Sequence, residues 1–159
     1  MEMIKPKKEF MLAAISQANF AREKGDYAIG AVIVKDDKIY SVGYNQSKIS
    51  QNPIFHAEIV AIMNATKIAN NRHLEDCILY TTHEPCPMCA GASVFAKLRG
   101  IVYGARFEDM RNYRLSNSNG DYLWRTVDIS CEEVIRKSAE NIEIVKEFMR
   151  EECLTLFHS

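Results

Sequence analysis

The chain has 159 residues, 47% hydrophobic and 26% charged, the balance of an ordinary soluble globular protein of one domain. Lysines and arginines number 20 against 21 acids, so a chain that grips nucleic acid through its overall charge is excluded, though a local basic patch is not. No apolar run reaches membrane-span length, and MEMIKPKKEF lacks an apolar core with a cleavage site, so a cytoplasmic protein with no membrane partner is expected.

Residues 7–24 predict an amphipathic helix with Phe10, Ala14, Ala18 and Ala21 on one face, closed by Gly25 and Asp26. A hairpin follows, in which AIGAVIVK (28–35) and KIYSVGYN (38–45) flank a turn at Asp36-Asp37. Residues 46–55 read as a polar loop with Asn52-Pro53 near its end. HAEIVAIMNATKIA (56–69) is a helix apolar on most of its circumference, and therefore buried. CILYTT (77–82) is a third strand, PMCAGASVFAKL (87–98) a second buried helix and GIVYGA (100–105) a fourth strand. Residues 106–128 show no clean period and read as a long loop with at most a short helix. A helix over 131–139, a fifth strand over 141–146 and a helix from about 147 to the end complete the chain. Strands alternating with helices after an opening hairpin predict one domain over 1–159, a three-layer α/β/α sandwich around a mixed five-stranded sheet.

Five cysteines is an odd count: Cys86 and Cys89 form a close pair, while Cys77, Cys131 and Cys153 are scattered and read as core or helix residues. That pattern suits a reducing compartment and a metal site better than a disulfide framework. The Cys-x-x-Cys spacing puts two sulfurs on one helical face, and His56-Ala57-Glu58 opens the preceding buried helix. Helix starts favour the thiolates that bind zinc. Two thiolates and one imidazole leave the fourth position of a tetrahedral zinc open, the mark of a catalytic site. Glu58 lies two residues from His56, close enough to move protons beside the metal without ligating it. His83, the nearest candidate for a fourth ligand, is placed at the mouth of the site instead.

His-x-Glu followed by Pro-Cys-x-x-Cys resembles the signature of the cytidine-deaminase-like zinc deaminases. Asn45-Gln46, the Asn-Pro before His56, LYTTHEPCPMCAGA (79–92), IVYGA (101–105) and IEIVKEFMREEC (142–153) resemble the branch holding guanine deaminase, cytosine deaminase and bacterial tRNA adenosine deaminase. The resemblance covers about 10–105 and 141 to the end. It implies one zinc per chain on His56, Cys86 and Cys89, with Glu58 as proton shuttle. It further implies that the Asn45 side chain and the Ala57 amide bind the base, and that the protein is a homodimer.

The resemblance implies an aminohydrolase releasing ammonia from a nucleobase or nucleoside. Guanine or a related purine stands first, because EPCPMCAGA looks like guanine deaminase and the chain carries no net positive charge. The tRNA adenosine deaminase stands second: its last strand and helix match 142–153, but those enzymes carry a basic C-terminal end, and this chain closes on EECLTLFHS with Arg150 the only lysine or arginine after Lys146. Cytosine deaminase stands third, and an inactive zinc-bearing accessory subunit is the non-enzyme alternative. Phe55, Tyr113, Trp124 and Phe157 are candidate stacking partners for a base. Lys97, Arg99, Arg106, Arg111 and Arg114 are a candidate phosphate contact or a solvated face.

Overall fold

The computed structural model describes residues 2–117 and 125–158. Five strands, β1 (Gly30–Lys35), β2 (Lys38–Tyr44), β3 (Ile78–His83), β4 (Gly100–Ala105) and β5 (Glu143–Val145), form one sheet in the order β2-β1-β3-β4-β5. β1 is antiparallel to β2 and β3, whereas β3, β4 and β5 run parallel. The expected mixed sheet is therefore present. The β1–β2 turn works because Asp36 and Asp37 both adopt left-handed backbone, φ 50° and 59°, the two-residue turn whose twist suits a hairpin. Every residue of β4 is buried, as a central strand covered on both faces must be.

The helices are α1 (Lys8–Glu23), α2 (Ala57–Ala69), α3 (Pro87–Phe95), α4 (Phe107–Ser116), α5 (Cys131–Arg136) and α6 (Arg150–Leu154). α1 lies against one face of the sheet at Gly30, and α6 meets the same face at Gly104 through Cys153. α2 covers the opposite face at Gly43, with α3 and then α5 beside it. Met11, Val32, Ile33, Leu79, Ile101 and Val102 are fully buried between the layers.

Two departures from the sequence reading have physical causes. Residues 107–116 are a regular ten-residue helix where a long loop with at most a short helix was expected. Met110 is its one buried residue, so it carries no apolar stripe. It is held instead by Asp109, which accepts the Arg106 amide at 2.8 Å in a capping box. The same carboxylate takes Arg150 at 2.6 and 3.1 Å, tying α4 to α6. The helix expected from 147 onward starts only at Arg150 and passes into a 3-10 turn over Thr155–His158. Glu147 and Met149 are left-handed, φ 59° and 55°, so no helix can run through them. The chain is reversing there to bring α6 back over β4. Smaller trims shorten the expected 87–98, 131–139 and 141–146 elements to Pro87–Phe95, Cys131–Arg136 and Glu143–Val145.

Gly43 sets the distance between α2 and the sheet. A Cβ there would sit 2.4 Å from the Ala57 carbonyl oxygen and 2.5 Å from the Ala61 nitrogen, both helix backbone. Gly43→Ala should therefore destabilise by about 1–3 kcal/mol, lowering Tm by roughly 2–12 °C. It should also weaken metal binding, because His56 immediately precedes α2. Thermal unfolding and zinc titration check both effects, and an unaltered Tm would show that α2 has slack.

Candidate active site

β3 ends at His83, and the chain passes through Glu84 and Pro85 into α3. Cys86 is the residue before that helix and Pro87 its first member, where a proline loses no hydrogen bond. His56 precedes α2 in the same way, in extended backbone. Both helix starts meet at the carboxyl ends of β3 and β4, where open α/β sheets bind their ligands.

His56 Nδ1 lies 3.6 Å from Cys86 Sγ and 3.6 Å from Cys89 Sγ. The three ligand atoms all fall within 4.8 Å of one another. Zinc bonds of about 2.3 Å to sulfur and 2.0–2.1 Å to nitrogen in a tetrahedron separate N from S by roughly 3.6 Å. The donor set thus fits zinc in both chemistry and spacing. A hydrogen bond from Cys89, helped by His56, pulls the Cys86 thiol down to about 4, while Cys89 is pushed up as the proton-bearing partner and by burial. Burial lowers His56, but its contacts with Cys86 and Glu58 outweigh it and the net direction is upward. One negative charge is therefore already settled in the cluster, and a dication would stabilise the second.

Glu58 is 3% exposed. Its Oε1 accepts from Thr81 Oγ1 at 3.3 Å and its Oε2 stands 3.6 Å from Cys89 Sγ. The carboxylate is beside the ligand cluster and not part of it. Burial pushes it up to about 7, against the pull of His56, and a bound cation would draw it down again.

Asn45 is buried, and its Nδ2 donates to Asp26 Oδ1 at 2.7 Å and to Ser47 Oγ at 2.9 Å. A carboxylate only accepts, so Asp26 fixes which way the amide points. With both Nδ2 protons committed, the carbonyl oxygen is the group that Asn45 can offer a ligand. Asp26, fully buried, also accepts the amides of Tyr27, Lys48 and Ile49 at 2.8, 2.9 and 2.9 Å. Sequence reading took Asp26 as a helix terminator and missed this role. Asp26→Ala would strand these donors in the interior. It should destabilise by about 2–4 kcal/mol and raise KM more than it lowers kcat. Denaturant unfolding and steady-state kinetics check this, and an unperturbed KM would separate Asp26 from the site. The Ala57 amide is the first of α2, so it has no intrahelical acceptor and stands beside His56.

The cleft over this cluster is lined by Ile29, His56, Glu58, His83, Glu84, Phe107 and the 125–129 stretch. His83 lines this cleft and is itself buried. Its Nδ1 donates to the Glu84 carbonyl at 2.9 Å, and burial drives its pKa down to about 4. Phe107 is the described aromatic that lines the cleft, and it was not among the candidates. Its position just past β4, at the ligand end of the sheet, was the available signal. Phe157 packs against His83 and Tyr113 at centroid distances of 6.1 and 5.8 Å, forming a wall behind the cleft. Phe55 is half-buried just before His56, and Trp124 lies outside the described residues. Cys77, Cys131 and Cys153 are all buried and unbridged.

The basic residues do not form one patch. Lys97 and Arg99 precede β4 and lie at the opposite end of the sheet from the cleft. Arg106 pairs with Glu108 and Glu147, and Arg111 with Asp128. Arg114 is placed to donate to Thr126.

This sheet, these helix starts and this ligand set define a zinc deaminase. The family model for the cytidine and deoxycytidylate deaminase zinc-binding region matches residues 4–105, and the chain belongs to that family. It is 32% identical over 154 residues to the tRNA-specific adenosine deaminase of Buchnera aphidicola subsp. Baizongia pistaciae, covering 96% of this chain and 86% of that one. It is 40% identical over 104 residues to the guanine deaminase of Bacillus subtilis, covering 65% of each chain. A solved tRNA A34 deaminase superposes with TM-score 0.77 at 25% identity, over 94% of this chain and 99% of that one. The guanine deaminase of Nitrosomonas europaea shares the fold with TM-score 0.78 at 19% identity, over 99% and 85%. Among the described residues no helix is long and apolar enough to cross a membrane.

Proposed function

We propose that the protein hydrolytically deaminates a free purine base, guanine or a close relative. The observation that carries this reading is the locked amide of Asn45, which offers an acceptor to the ligand. Guanine brings ring N–H donors, whereas adenosine within RNA has none. The pairing of Arg106 and Arg111 with acids supports the same reading, since phosphate contacts need cations that are not already neutralised.

His56, Cys86 and Cys89 would hold the zinc. When bound, zinc supplies the Lewis acidity that makes water a nucleophile near neutral pH. The base enters under Phe107 with its plane over His56. The Asn45 carbonyl and the Ala57 amide orient it, and the apolar wall of Ile29 and Val127 excludes bulk water. Water attacks the ring carbon that bears the amino group. Glu58 accepts the water proton, gives it to the adjacent ring nitrogen, and then carries the second proton to the amine. Ring C–NH₂ and water become ring C=O and ammonia. The intact Glu58 counts against an inactive accessory subunit.

A specific observation keeps tRNA adenosine in view. An open groove leads away from His56 past Tyr27, Lys48, Gln51 and Arg125, whose basic and aromatic side chains suit flanking nucleotides, and the tRNA-enzyme similarity extends through the C-terminal third. Ammonia release from the zinc-loaded protein is the test, run on guanine, adenine, cytosine, their nucleosides and a tRNA with adenosine in the anticodon. We expect turnover of guanine and none of the tRNA. Turnover of tRNA alone would overturn the free-base reading. A homodimer is part of the proposal: α2 and α3 leave Met63, Ile68 and Phe95 exposed, the last 82% so. Sedimentation should then return twice the chain mass.

A further inference from the structure

Glu84 is buried, 3% exposed, yet it touches none of the three ligand residues through its carboxylate. Oε1 accepts the Phe107 amide at 3.3 Å and Oε2 accepts the Cys131 amide at 2.9 Å. Phe107 is the first residue of α4 and Cys131 the first of α5. At these positions the amides have no intrahelical acceptor. The two amides bracket the segment that contributes Phe107, Thr126, Val127 and Ile129 to the cleft. The Glu84 backbone is fixed in turn, its amide donating to Ala105 at 2.7 Å.

We infer that Glu84 is a positioning residue: its two oxygens pin the starts of α4 and α5 and so set where Phe107 and the 125–129 stretch stand over the cleft that the substrate enters. Its side chain acts through Phe107 and the 125–129 stretch, and it moves no proton. Two separate hydrogen bonds to one carboxylate also explain why an acid occupies this position. A glutamine offers one acceptor oxygen and turns an N–H toward the other amide, where two donors repel.

Two variants test this. Glu84→Gln breaks one arm from the carboxylate side. Cys131→Pro breaks the stronger arm from the other side without touching Glu84, because proline is accepted at a first helical position and Ser130 is already extended. Zinc content, amide hydrogen exchange and guanine kinetics are measured on the zinc-loaded protein. We expect zinc to stay at the wild-type level in both. Exchange should rise about tenfold in peptides over 107–116 and 125–136, with peptides over 57–69 unchanged. KM for guanine should rise about tenfold with kcat within about threefold. Unaltered exchange in both variants would remove the clamp. Faster exchange with unaltered KM would show that the clamp does not set the cleft. A kcat that falls as far as kcat/KM would make Glu84 part of the chemistry. The inference rests on the deaminase assignment and not on the choice of base: if the wild type leaves guanine untouched, the proposed substrate fails and the exchange arm alone decides the clamp.

Discussion

Glu58→Gln should lower turnover by about 10³-fold or more, with one zinc still bound per chain and the fold intact. The size follows from the proposed role: a positioned proton carrier is worth about 10²–10⁴, and in the proposed mechanism Glu58 serves both the attack and the departure of the amine. The side chain is buried against Thr81 and Cys89 where it meets the cleft. Glutamine keeps the volume, and its carbonyl can still accept from Thr81. The variant therefore removes the proton acceptor and little else. Steady-state ammonia release paired with metal analysis checks it. Activity within about tenfold of wild type would mean that the protons travel by another group.

Cys86→Ala should abolish activity to background and weaken zinc binding by more than about 100-fold. Even an outer partner of a metal ligand is worth about 10–100-fold in affinity, and this change removes a ligand outright. Cys86 is also the thiol whose charge the cluster already stabilises. The fold should survive, because α2 is seated by Ala57, Ala61 and Ala65 against the sheet, a contact that does not pass through the metal. Circular dichroism should stay native-like while Tm falls. Chelator treatment of the wild type should act the same way and reverse on adding zinc. If chelation unfolded the chain, the metal would be a structural element, and the catalytic reading of an open fourth position would fail.

The legible part of the site is the part whose geometry is local. His56-Ala57-Glu58 and Cys86-x-x-Cys89 each sit at one helix start, so three or four residues of chain suffice to place each pair, the two cysteines by their i, i+3 spacing. The strand and helix periods then suffice to place both starts at one end of a sheet. The layered fold was legible for the same reason, because α1, α2, α3 and the strands carry their burial in their own periodicity. α4 was not, since its one buried residue leaves no stripe to read. It is a helix because Asp109 caps it and holds Arg150, 41 residues away.

What the amino-acid order determined by itself was the engine: a zinc ligand set and a carboxylate beside it. What only the tertiary structure decided was how the cleft beside it is built. Asp26 orients Asn45 across 19 residues, and Glu84 holds Cys131 across 47. Phe107 lines the cleft, and its place just past β4 is the one hint of that in the chain. The split follows from the forces involved. Metal ligation needs two short motifs with fixed local geometry. The walls of the cleft are held by buried carboxylates meeting backbone amides from distant elements, and an amide reads the same in every residue's letter.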